Sequence, residues 1–218
     1  MTAPRVTYTI DYKVNPPAVV RDGAPGPEGV TVRLSRTADG PARDRLDSVR
    51  GFHLLAEDGT YLGRLLTTQP LGYRLSGRPA VYDVLDARDV PLGRITLRRR
   101  RAFRWGRTRW TVEPATGPVL HGFQGRLVWW ALWWPLGAPI RLVWLVMALL
   151  GDGDDGFGPP RRIIWRDASR RTHLVFRGLA GTYEVRAPGL DPRLVSALVG
   201  LHQSLDPNEE ARTAYGWY

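Results

Sequence analysis

The chain has 218 residues, 43% hydrophobic and 24% charged, which suits one domain with a sizeable core and excludes a collagen-like or wholly disordered protein. It has no Cys, so disulfides, cysteine zinc fingers, iron–sulfur clusters and thiolate nucleophiles are excluded. Its 31 basic residues, all Arg except Lys13, outnumber 21 acidic ones, and the net charge of +10 favours nucleic acid, phospholipid headgroups or an acidic protein as partner.

The N-terminal residues lack the basic start and apolar run of a secretory signal, so a cytoplasmic location is expected. Residues 5–14 instead alternate, with Val6, Tyr8 and Ile10 on one side, and predict a strand. Residues 15–29 hold Pro16, Pro17, Pro25 and Pro27 with Gly23, Gly26 and Gly29, and predict a loop without regular structure. A short strand at Val30–Leu34 follows, then a charged loop over 36–48.

From residue 49 the pattern repeats. Residues 51–66 and 81–96 each read as an apolar strand, an acidic turn, then Leu-Gly-Arg opening a second strand (Leu62-Gly63-Arg64 and Leu92-Gly93-Arg94). Looser copies span Trp110–Phe123 and Ile163–Phe176. Gly and Asp tolerate positive φ, so each copy predicts a β-hairpin. Further strands are expected near 71–75, 102–105 and 181–187, about a dozen in all, and so many short antiparallel strands close into a barrel or stack as a sandwich.

A basic run crosses the middle of the chain: Arg94, Arg98, Arg99, Arg100, Arg101, Arg104, Arg107 and Arg109, interleaved with Phe103, Trp105 and Trp110. Arg with aromatics binds single-stranded nucleic acid or anionic lipid, and a solvated strand face is the plain alternative. Residues 127–150 are the one long apolar stretch, with Trp129, Trp130, Trp133, Trp134 and Trp144. Pro135, Gly137, Pro139 and Arg141 divide it, and each half, as a helix, reaches only about 12–14 Å, less than half a hydrocarbon core. A hairpin dipping into one leaflet fits best, because a single span would part the strands before it from those after it. A true span and a lid or oligomer interface are the alternatives.

Local catalytic signals are absent. Gly151–Gly156 matches a dinucleotide-binding glycine pattern, but Asp152, Asp154 and Asp155 would repel a pyrophosphate, and no EF-hand Glu follows them. His53, His121, His173 and His202 are scattered. No nucleophile elbow or P-loop is present. The reading is a non-enzyme with no catalytic residue, no metal and no cofactor.

Residues 191–205 predict one helix: Asp191 caps it, Pro192 is its first residue, Asp206-Pro207 ends it, and Leu194, Val195, Leu198, Val199, Leu201 and Leu205 wrap most of its circumference. These hairpins, the Tyr183-Glu184-Val185 strand and the Asp191–Gly200 helix together resemble the LURP-one-related and phospholipid-scramblase-like families, which share the tubby C-terminal fold. The resemblance covers about 49–205 and implies a closed barrel of about twelve antiparallel strands around a buried C-terminal helix. The scramblases' Cys cluster and calcium loop have no counterpart here, where Ala187-Pro188-Gly189-Leu190 precedes the helix, so calcium-driven scrambling is not implied.

The chain then divides into N-terminal barrel strands with Pro/Gly-rich loops (1–48), repeated hairpins (49–126), the apolar insertion (127–150), final hairpins with the core helix (151–205) and a tail (206–218). The expected function is a β-barrel held peripherally on the inner face of a membrane. It would bind anionic phospholipid, or recruit a partner, through the Trp hairpin and the Arg run. An assembly subunit using the Trp hairpin as a protein or homo-oligomer interface is the alternative, and a single-stranded nucleic-acid-binding barrel the second. Replacing Leu198 with Asp is expected to unfold the protein in a circular-dichroism melt, since a buried unpaired carboxylate costs several kcal/mol.

Overall fold

The computed structural model describes residues 6–23, 30–36, 49–72, 78–99, 108–124, 162–178 and 180–205. Within them twelve strands follow one another around a closed antiparallel barrel. They are β1 (Val6–Asp11), β2 (Ala18–Asp22), β3 (Val30–Arg36), β4 (Gly51–Ala56), β5 (Tyr61–Gln69), β6 (Ala80–Asp86), β7 (Pro91–Arg98), β8 (Arg109–Pro114), β9 (Leu120–Gln124), β10 (Arg162–Arg166), β11 (Thr172–Arg177) and β12 (Thr182–Val185). The ring closes where β1 meets β12, with Val6 opposite Val185 and Tyr8 opposite Tyr183.

The alternation read in the sequence is the in–out alternation of the wall. Ala80, Tyr82 and Val84 of β6 and Ile95 and Leu97 of β7 are buried inside, while Asp83, Arg94, Thr96 and Arg98 face out. Residues 15–29 need a correction: β2 forms inside that stretch. The prolines flank Ala18–Asp22 rather than interrupt it, and the Pro17 carbonyl accepts from Leu34 N at 2.8 Å, so no donor is missing from the ladder. Leu71 and Gly72 belong to no strand. The expected strand at 102–105 and most of the loop at 36–48 lie outside the described residues.

The repeat has a physical basis. Three turns share one geometry: Gly59, Asp89 and Arg170 adopt φ of 84°, 62° and 65°. Their N–H groups donate to the carbonyls of Ala56, Asp86 and Asp167 at 3.0, 3.1 and 3.0 Å. The strand register shifts beside each turn, as in a type I turn closed by a bulge. In the two Leu-Gly-Arg copies the glycine faces in and the arginine faces out to an acid of the second copy: Arg64 to Asp89 at 2.9 Å, Arg94 to Asp83 at 2.7 Å. A Cβ on Gly63 would lie 2.3 Å from the Leu85 carbonyl oxygen, and one on Gly93 would lie 2.8 Å from that of Glu113. Both glycines let neighbouring strands approach.

The single helix among the described residues, α1 (Pro192–Leu205), is buried from Leu194 to Ser204. Asp191 caps it, its Oδ1 accepting from Arg193 N at 2.8 Å. Walls on several sides touch it: Leu194 lies beside Gly93 of β7, Gly200 against Leu34 of β3 and Phe52 of β4, and His202 against Trp110 of β8 and Phe176 of β11. The helix therefore runs through the barrel interior, as its all-round apolar surface predicts. No helix among the described residues is long and apolar enough to cross a membrane. Gly63→Ala is expected to lower stability by about 1–3 kcal/mol in denaturant titration, because only backbone movement relieves the contact.

Candidate functional site

Consecutive antiparallel strands send their connections alternately to the two rims of the barrel. The turns at 57–60, 87–90, 115–119 and 167–171 share one rim with the start of α1, which we call proximal. The connections 12–17, 37–50, 70–79, 99–108 and 125–161 share the other, distal rim with the end of α1. The strand ends that flank the Arg run (β7 and β8) and the Trp-rich insertion (β9 and β10) in sequence thus lie on the same rim, and the insertion itself is outside the described residues. Arg98 pairs in register with Arg109, Arg109 with Phe123, and Gln124 with Ile163.

The structure brings together part of the expected basic set. Arg98, Arg99 and Arg109 are exposed at the distal rim and form no ion pair among the described residues. The Arg109 guanidinium lies over the Phe123 ring, 5.6 Å from its centroid, and donates to His121 Nδ1 at 3.1 Å. Arg94 stands apart. It lies on the outer wall nearer the proximal rim, its Nε on Asp83 at 2.7 Å and Glu113 opposite it in register. Burial raises the Asp83 carboxyl, but the hydrogen bonds from Arg94 and Thr68 outweigh it and hold it below the usual range. Arg100, Arg101, Arg104 and Arg107 lie outside the described residues, as do Trp129, Trp130, Trp133, Trp134 and Trp144. Sequence reasoning missed Phe123, an aromatic in the outward phase of β9, 44% exposed.

Beneath the distal rim the last turn of α1 carries a polar chain. The Tyr12 hydroxyl donates to Gln203 Oε1 at 3.4 Å, and Gln203 Nε2 donates to the Tyr183 hydroxyl at 3.1 Å. The Tyr183 hydroxyl also shares a hydrogen bond with His202 Nδ1 at 2.7 Å. Trp110, Phe176 and Tyr183 ring the imidazole, with centroids 5.4, 4.7 and 5.8 Å away. The Arg50 guanidinium donates to the Ser204 carbonyl at 3.3 Å, serving an acceptor the helix end leaves open.

The proximal rim is built differently, because its carboxylates hold turns. Asp86 Oδ1 accepts from Arg88 N and Val90 N, each at 2.8 Å, and these backbone bonds lower its pKa. Asp167 accepts from Ser169 Oγ at 2.6 Å and from Arg171 N at 2.9 Å, and its Oδ2 pairs with His173 Nε2 at 2.9 Å. The bonds from Ser169 and His173 hold its carboxyl down to about 2. Ser169 points to the carboxylate and not to His173, so the trio lacks the arrangement of a nucleophile and its base. Among the described residues no group of three or more His, Asp or Glu is gathered to hold a metal ion.

Neither a scan against protein-family models nor comparison with curated proteins and solved structures finds a match to this chain.

Asp167 supplies a pH prediction. Its folded pKa lies below the unfolded value of about 3.9, so its stabilising contribution is full above about pH 4 and is lost as pH falls toward 2. Asp167→Asn is expected to melt earlier than the native protein at pH 6, with the gap narrowing toward pH 2. Scanning calorimetry across that range measures it.

Proposed function

We propose that this protein is a non-enzymatic, membrane-associated barrel of the LURP-one-related or scramblase-like kind, binding anionic phospholipid with its distal rim. The observation that carries the reading is the shared origin of two segments. The strand ends on either side of 99–108 (β7, β8) and of 125–161 (β9, β10) are adjacent on one rim, and the sequence between them is Arg-rich in the first case and Trp-rich in the second. Arg supplies charge attraction to acidic headgroups, about 1 kcal/mol for each residue near the surface. Trp suits the interface, where an apolar ring and a polar N–H are both served. One rim offering both can meet a membrane end-on while the barrel stays in water. The peripheral, inner-face location follows from the same contact.

Flotation with vesicles tests this. The protein should float with anionic vesicles and not with neutral ones. Binding should weaken steeply with salt, because attraction between exposed charges is screened over about 8–10 Å at physiological ionic strength. Changing Arg98 to Arg101 and Arg104 to Glu should abolish flotation while the melting temperature stays near native. Replacing 127–150 by a Gly-Ser loop should abolish the blue shift of Trp emission on adding vesicles. Salt-insensitive binding, equal binding to neutral vesicles, or a monomer indifferent to vesicles would overturn the reading.

A further inference from the structure

One outward row runs across the wall just below the distal rim: Arg98 of β7, Arg109 of β8, Phe123 of β9 and Ile164 of β10, each opposite the next in register. The first two are cations and the last two apolar. Directly opposed residues on one face of a sheet hold their Cβ atoms about 4.5–5.5 Å apart, and like charges so placed repel. Elsewhere on the wall the same problem is answered by a carboxylate. Arg162 and Arg177 also oppose each other, and Arg177 is paired with Glu184 at 2.8 Å. Among the described residues Arg98 and Arg109 have no such carboxylate. Arg109 is nevertheless held in place, by the Phe123 ring on one side and His121 Nδ1 on the other. A fixed guanidinium beside a second one, neither paired with a described carboxylate, suits a ligand that brings two negative charges in a small volume.

We infer that Arg98 and Arg109 form a site for the phosphate monoester headgroup of a lipid, with Phe123 and Ile164 taking the apolar part next to it. A monoester carries about −1.5 to −2 at neutral pH on one phosphorus, and its three terminal oxygens accept from two guanidinium forks at once. A diester headgroup brings one charge and leaves the pair half neutralised. The apolar half of the row favours a lipid over a free phosphate ester. The inference rests on the membrane reading above and deepens it from general charge attraction to headgroup choice.

The test compares full-length protein on phosphatidylcholine vesicles doped with either phosphatidic acid or phosphatidylglycerol, matched in surface potential. The native protein should bind the phosphatidic acid vesicles about tenfold more tightly, the worth of one added charge-assisted hydrogen bond. Arg98→Lys with Arg109→Lys keeps the charge and removes the forks, and should bring the two lipids to the same level. Phe123→Ser should weaken binding to both while the preference survives. Native protein that floats with both vesicles equally would overturn this inference and leave the membrane reading standing, and that measurement needs no variant to fold. A preference that persists in the double-lysine protein would also overturn it. So would glycerol 3-phosphate binding as tightly as the vesicles, which would make the ligand a free ester. Failure to float with either vesicle would remove both readings together.

Discussion

The barrel depends on the helix inside it. About eight strands enclose a space that their own side chains fill, and the bore widens as strands are added. Twelve strands leave room for a further element, and a helix with its side chains is about 10–12 Å across. The sequence of α1 suits that place. Leu194, Val195, Leu198, Val199 and Leu201 wrap most of its circumference over its first turns, and each apolar side chain so buried contributes about 1.5–3 kcal/mol. Gly200 brings the helix close to one wall, where a Cβ would stand 2.7 Å from a Leu34 methyl. Beyond Arg193 and the buried Ser196, polarity gathers in the last turn, where Gln203 and His202 find Tyr12 and Tyr183.

Much of this was legible in the sequence because the relevant signals are local. Alternation marks the strands, the Asp-rich turns mark the hairpins, and Asp191-Pro192 with an all-round apolar run marks the helix and its burial. β2 was hidden by composition, since a strand of five residues between prolines and glycines is too short to outweigh them. The basic run was legible as a run but not as a site. Strand phase and register decide which arginines stand together: Arg94 falls beside Asp83, whereas Arg98 faces Arg109. Phe123 carried no signal of its own and gains meaning only from the strand next to it. The contact between Tyr12 and Gln203 joins residues 191 positions apart, a relation that no window of sequence contains.

The two rims show how turn chemistry distributes charge. Asp is favoured at tight turns because its carboxylate satisfies backbone N–H groups two and four residues on. Asp58, Asp86 and Asp167 are used this way at the proximal rim. At the distal rim, Arg98, Arg99 and Arg109 have no carboxylate partner among the described residues. Among the described residues, turn chemistry thus commits carboxylates at one rim through an architectural demand that has nothing to do with a ligand.

The pairing of the first strand with the last has a consequence for how the chain is made. Val6 waits for Val185, and the filling of the bore waits for residues 192–205, so nothing near the start of the chain is finished until nearly all of it has left the ribosome. Until then the growing sheet has two open edges and an uncovered apolar inner face, a state prone to association with other chains. Such long-range closure is slow compared with local pairing. Synthesis of this protein therefore includes an interval in which a cell must shield an unfinished cylinder, and a chain shortened before α1 would remain in that interval indefinitely.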